Sequence, residues 1–171
     1  IDPDHHDFNR TKQRLGTEFH ENGKGVAVGD LNGDGFVDVI GTNSNGETFL
    51  AEGERAVVGG PLFVWINSGG DNHWISFRLK GRMAIDGTGS NADAIGAKIT
   101  VTHLSDDGIE VTQMKEVLGS SSFLSMSSLD SHFGLGSSDS VAATIVWPSG
   151  LTIDVADLEL NKLHEITEPA S

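Results

Sequence analysis

Oxygen-bearing side chains fall at the first, third, fifth and ninth positions of the stretch Asp30-Leu31-Asn32-Gly33-Asp34-Gly35-Phe36-Val37-Asp38. Three carboxylates this close repel one another unless a cation sits among them. Hard oxygen donors select a hard cation. A loop of carboxylates, an amide and a backbone carbonyl suits the loose shell of Ca²⁺ better than the strict octahedron of Mg²⁺, which gives up its waters reluctantly. The predicted ligands are the side chains of Asp30, Asn32, Asp34 and Asp38 and the carbonyl of Phe36, with Gly35 supplying backbone freedom at the turn. The role this implies is structural: tying a loop and neutralising charge. The competing reading is a metal-free hairpin turn rich in Asp and Asn. It is not an EF-hand, because the twelfth position is Gly41 instead of Glu and apolar, strand-like runs flank the loop.

A second polar cluster spans residues 86–93, with Asp86, Asn91 and Asp93 among Thr88, Ser90 and two glycines. It offers either another Ca²⁺ site or a set of amide and carboxylate groups for sugar hydroxyls. The alternative is a glycine-rich loop whose Asp and Asn hold its own backbone. Its match to a dinucleotide-binding fingerprint carries no weight without a βαβ unit around it. Trp74 falls on the polar side of an alternating strand. An exposed indole there would stack on a sugar ring, and the other possibility is that it is buried between two parts of the chain. Trp65 reads as core or interface and Trp147 as a corner packing residue. With aromatics at 6% and no Tyr, a broad aromatic sugar platform is not evident.

Catalysis has little support. Serines 120–122, 125, 127, 128 and 131 lie near Asp130 and His132, but no nucleophile elbow of the Gly-x-Ser-x-Gly type is present. His132 reads as a structural hydrogen-bonding residue. Asp106 and Asp107 sit in a predicted turn, and His20, His73, His103 and His164 lack zinc-ligand spacing. The absence of cysteine excludes disulfides and thiolate chemistry.

The elements that must position these groups are strands. The chain has 171 residues, 22 of them Gly, and its helix-forming runs are short. Strands are predicted at 25–29, 37–42, 48–51 and 62–66, with turn signals at Asn45-Gly46 and Gly59-Gly60. After a polar break, further strands are predicted at 73–80, 97–104, 111–118, 141–147, 151–155 and 164–167. Ile75, Phe77 and Leu79 take one face of the first of these. The organisation expected is a flexible segment over 1–24, a calcium-binding β-meander over 25–67, and an antiparallel β-sandwich, jelly-roll or immunoglobulin-like, over 68–171. The first segment carries Asp4-His5-His6-Asp7, able to grip a transition metal but read as part of a tail. It also holds the glycosylation pattern Asn9-Arg10-Thr11.

A formal net charge of −14 argues against nucleic acid and anionic membrane surfaces as partners. No run is apolar enough to insert as a transmembrane helix. The chain starts at Ile1 and shows no signal peptide, which reads as a processed or excised piece of something longer.

Residues 25–40, Gly-Val-Ala-Val-Gly-Asp-Leu-Asn-Gly-Asp-Gly-Phe-Val-Asp-Val-Ile, resemble a single FG-GAP or VCBS repeat, one blade of an integrin-like propeller. The second half resembles an ASPIC/UnbV domain through Ser90-Asn91-Ala92-Asp93-Ala94-Ile95-Gly96-Ala97-Lys98, His132-Phe133-Gly134-Leu135-Gly136 and Val146-Trp147-Pro148-Ser149-Gly150. Ala92 stands where the family pattern often has Arg, and residues 83–88 look like a small insertion. The resemblance implies calcium in the Asp-rich loop and an exported, cell-surface or extracellular protein of bacterial type. The expected function is a non-catalytic, calcium-stabilised extracellular binding module with glycan or polysaccharide as the favoured ligand. The alternative is an adhesion or structural module with a protein partner. A third possibility, a polysaccharide-active enzyme, would need a paired acid and base that the sequence does not place.

Overall fold

The computed structural model describes residues 23–43, 46–49, 55–58 and 62–170. The expectations for residues 1–22, including Asp4 to Asp7 and Asn9, and for the turns at Asn45 and Gly59-Gly60, lie outside the described residues. The fold is all-β. Among the described residues the only helix is a single 3-10 turn, Arg82–Ala84. The chain divides into two compact units.

The first unit comprises the stretches up to Asn32, Val37–Asn67 and Ser120–Ser127. Strands β1 (Gly23–Gly29), β2 (Asp38–Asn43) and β5 (Leu62–Trp65) form an antiparallel sheet in the order β1-β2-β5. Among the described residues, strands β3 (Gly46–Phe49) and β4 (Arg55–Val58) pair only with each other. The meander predicted from sequence is therefore interrupted by an inserted hairpin. Register places Val28, Val39 and Trp65 side by side on one face, next to Val26, Gly41 and Phe63. The Trp65 ring stacks on Phe63 and lies over Gly41, which has no side chain to displace it.

The free edge of β1 is met by the serine-rich segment. The Val26 N–H donates to Ser125 Oγ (3.0 Å) and the Val28 N–H to Ser127 Oγ (3.4 Å). Two hydroxyls spaced two residues apart thus satisfy strand donors that would otherwise need another strand. The segment folds back on itself through a Ser122–Ser125 bridge, and its tip holds Leu124 at a φ of 55°. A branched side chain in that region is strained.

The second unit comprises Gly33–Phe36, Ser68–Gly119 and the chain from Ser128 onward. It is a two-layer sandwich. One layer contains β7 (Lys98–Leu104), β8 (Glu110–Glu116), β10 (Val141–Val146) and β11 (Thr152–Val155), in the order β11-β10-β7-β8. The other contains β6 (His73–Lys80), β9 (Ser131–Gly136) and β12 (Lys162–Thr167), in the order β12-β6-β9. Ile75, Phe77, Leu79, Phe133 and Leu135 from one layer meet Ile99, Val101, Ala143 and Ile145 from the other. The period-2 alternation read in β6 is the buried face observed.

Two details differ from the sequence expectation. Strand β9 is absent from the strands predicted by sequence; Gly134 and Gly136 dilute its alternation. In the fold, Phe133 and Leu135 are core residues. The sandwich also has one parallel pair, β12 with β6, among otherwise antiparallel neighbours. The C-terminal strand enters beside β6 after crossing from the opposite layer, and such a connection permits parallel pairing.

Candidate functional site

Asp38 opens β2 and is 1% exposed. Its Oδ2 accepts the Leu31 N–H (2.8 Å) and its Oδ1 the Asn67 N–H (2.7 Å), so one carboxylate fixes both the start of the loop and the exit of β5. A buried carboxylate needs such donors. Each oxygen keeps a further lone pair. Asp34 Oδ1 accepts the Phe36 N–H two residues on (2.9 Å), an Asx turn that shapes the tip. Asp30, Asn32 and Asp34 are exposed at their loop positions and engaged in polar interactions of their own.

Among the described residues no three His, Asp or Glu side chains gather as a ready metal cluster. The donor set fits a hard cation by chemistry: three carboxylates, one amide and a carbonyl in nine residues, with one carboxylate already anchored.

The tip of the loop is packed in the second unit. Gly35 has a φ of 87°, as the turn anticipated. A Cβ there would lie 2.1 Å from the Trp74 indole, so the ring rests directly on the glycine backbone. The Phe36 ring covers Gly69 in the same way. His132 Nε2 lies 2.7 Å from the Gly35 carbonyl oxygen and donates to it. The His132 ring stacks on Trp74 with centroids 5.4 Å apart and planes 17° apart. Trp74 is half-buried, one face against His132. His132 is the hydrogen-bonding residue that the sequence predicted.

The residues proposed around the second cluster are engaged locally. Asp86 Oδ1 accepts the Thr88 N–H (3.0 Å) and hydroxyl (2.6 Å), and its Oδ2 pairs with Arg82. Asn91 closes a ring with Ile95, donating to its carbonyl and accepting its N–H, each at 2.8 Å. Asp93 is exposed and lies near enough to Arg78 to raise that guanidinium, after the larger effect of Asp130. Asp130 binds Arg78 through both carboxylate oxygens and accepts the Ser128 hydroxyl (3.0 Å). Asp130 and His132, the acid and base nearest the serine run, are each committed to these partners.

The residue that organises the second cluster was missed from sequence. Glu168, just after β12, is 2% exposed. Its carboxylate accepts the N–H groups of Arg82 (3.0 Å) and Ser90 (2.7 Å) and the hydroxyls of Ser90 (2.9 Å) and Ser149. Burial works to raise this carboxyl. The bonds from Ser149, Arg82 and Ser90 outweigh it and hold the group at about 2. Gly89 passes so close that a Cβ would sit 2.6 Å from Glu168 Oε2. Ser90 and Ser149 both lie in motifs quoted above, but nothing in the sequence marks their common acceptor.

Residues 22–50 match the FG-GAP repeat and residues 87–171 match the family described as ASPIC and UnbV, the order that the sequence resemblance implied. The chain is similar to cartilage acidic protein 1 of Homo sapiens, with 30% identity over 150 residues that cover 86% of this chain and 19% of that protein. Similarity to cartilage acidic protein 1 of Xenopus tropicalis is 31% over 150 residues, covering 86% and 20% respectively. The chain spans about a fifth of the length of these curated relatives.

Proposed function

We propose that the chain is a calcium-stabilised, non-catalytic module of an extracellular protein, and that its partner is a protein rather than a glycan. The observation that carries the proposal is the loop from Asp30 to Asp38. A full set of hard donors is strung between a buried, doubly hydrogen-bonded Asp38 and a tip seated on Trp74. Asp30, Asn32, Asp34, Asp38 and the Phe36 carbonyl would hold the ion, which would supply charge neutralisation and rigidity, not reactivity. The extracellular setting follows from the FG-GAP repeat and from relatives named for cartilage and acidity, the latter matched here by a net charge of −14. Among the described residues no helix is long and apolar enough to cross a membrane.

The choice of a protein partner rests on what the surface offers. Trp74 has one face on His132, and Asp86 and Asn91 serve their own loop, so three of the four groups expected to meet a sugar are engaged within the chain. Phe123 and Leu124, by contrast, are 76% and 71% exposed at the tip of the serine-rich turn. Adjacent exposed apolar side chains offer contact area to a protein surface. A glycan array probed with the full chain, with and without Ca²⁺, tests the choice. The proposal predicts no retention above background. Calcium-dependent retention that Trp74→Ala abolishes would restore glycan as the ligand.

A further inference from the structure

We propose that Lys115 guards the open edge of strand β8 against strand addition by a second copy of the chain. β8 ends the four-stranded layer, with β7 on one side and, among the described residues, no strand on the other. It runs for seven residues, against four for β11 at the opposite end. A long edge with free N–H and C=O groups is a template for another strand, whereas a short edge protects itself.

The bonding pattern shows which groups are on offer. The Val117 N–H donates to the Ala97 carbonyl (2.9 Å), and the Ile109 carbonyl accepts the Ser105 N–H (2.8 Å). Both residues bond toward β7, as do the odd-numbered residues between them. That orientation alternates along an antiparallel strand, so Thr112, Met114 and Glu116 turn their N–H and C=O groups outward. Among the described residues nothing pairs with them there.

Side chains alternate as well. Register sets Val111 beside His103, Gln113 beside Val101 and Lys115 beside Ile99, all on the face turned to the other layer. Ile99 is 0% exposed, yet Lys115, one strand further out, remains exposed. Its Nζ lies 5.4 Å from the centroid of the Phe133 ring of β9. Partial burial pulls the ammonium below the usual lysine range, and no carboxylate offsets it. The cation is tolerated because water reaches it round the open edge.

A strand added to β8 closes that route. Where two β8 strands pair antiparallel and keep the inner face continuous, the residue set beside Lys115 is an odd-numbered one of the second copy: Val111, Gln113, Lys115 or Val117. None is a carboxylate. The acids of β8, Glu110 and Glu116, lie on the outer face, and the register of full overlap sets each against the other's counterpart. Self-pairing therefore leaves an ammonium desolvated without a partner on one face and like charges opposed on the other.

Sedimentation velocity of the full chain over a concentration series, with amide exchange read on the same samples, tests this. Lys115→Val is expected to lower the dimer Kd by about tenfold or more relative to wild type and to slow exchange at Thr112, Met114 and Glu116 as dimer forms. Valine favours strands, so the variant is expected to fold. Lys115→Arg keeps the charge and should match wild type. Lys98→Val removes a cation from the outer face of β7 and should also match wild type, which separates protection of the edge from a change in net charge. Lys115→Val dimerising no more strongly than Lys98→Val, or dimerising while those three amides exchange as before, overturns the proposal.

Discussion

Glu168→Gln keeps the shape of the side chain while removing the charge that four donors converge on. The folded carboxyl sits at about 2 against an ordinary 4.5, a difference of about 2.5 pH units. At about 1.4 kcal/mol per unit, that sets a ceiling of about 3.5 kcal/mol on the stability the ionised group contributes. Solvent reaches the neighbouring 83–89 loop, and screening there lowers the working figure to about 1–2 kcal/mol. Glutamine also turns an NH₂ group toward donors, so the cost of the substitution at pH 7 is about 2 kcal/mol, or about 4–8 °C in Tm.

The sign of the pH dependence follows from the depressed carboxyl. The contribution is fully present above about pH 4.5 and is lost as pH falls toward 2. Wild type and Glu168→Gln should therefore differ at pH 7 and converge below about pH 3. Urea melts of both proteins at pH 7, 5, 4 and 3 give the comparison. A difference under about 0.5 kcal/mol at pH 7, or a gap that stays constant down to pH 3, would refute the account of Glu168.

Gly35→Ala forces a Cβ into the Trp74 ring at a φ of 87° and should cost about 2–4 kcal/mol. Adding Trp74→Ala should recover part of that loss, and strict additivity in the double mutant would show that the ring is not the obstacle. Ser125→Ala removes the acceptor of the Val26 N–H. Amide exchange at Val26 should accelerate about fivefold while that at Ile99 is unchanged, as read by hydrogen-exchange NMR. Residues 23–67 expressed alone lack Ser125 and Ser127 and should show no cooperative melt by circular dichroism. A sharp thermal transition in that fragment would contradict the role given to the serine segment.

Much of the fold was legible because strands with one buried face advertise themselves. Ile75, Phe77 and Leu79 alternate with Ser76, Arg78 and Lys80, and the structure buries the first set against the opposite layer. Strand β9 was harder, since glycine at positions 134 and 136 leaves only Phe133 and Leu135 to carry the pattern. The parallel pairing of β12 was out of reach, because alternation fixes which face is buried but not which neighbour is chosen.

The candidate sites divide in the same way. The turn at Gly35 is a local property, and its positive φ could be read from the spacing of Asp and Gly. The contacts of Trp74 depend on His132, 58 positions away in the chain, so its half-buried environment could not be read locally. Glu168 is harder still: its donors come from three separate stretches around residues 82, 90 and 149, and a lone Glu after a strand looks like any solvated charge.

Calcium is the centre of the proposed function, and a thermal melt addresses it directly. The full chain is heated in excess Ca²⁺ and in EGTA, alongside Asp34→Ala under the same two conditions. Ligand that binds only the folded state at a hundredfold excess over Kd adds about 2.7 kcal/mol, so wild type should melt about 5–10 °C higher with Ca²⁺ than with EGTA. Asp34→Ala should lose most of that difference. A wild-type Tm that is the same in Ca²⁺ and EGTA would contradict the claim that the loop from Asp30 to Asp38 is a calcium site.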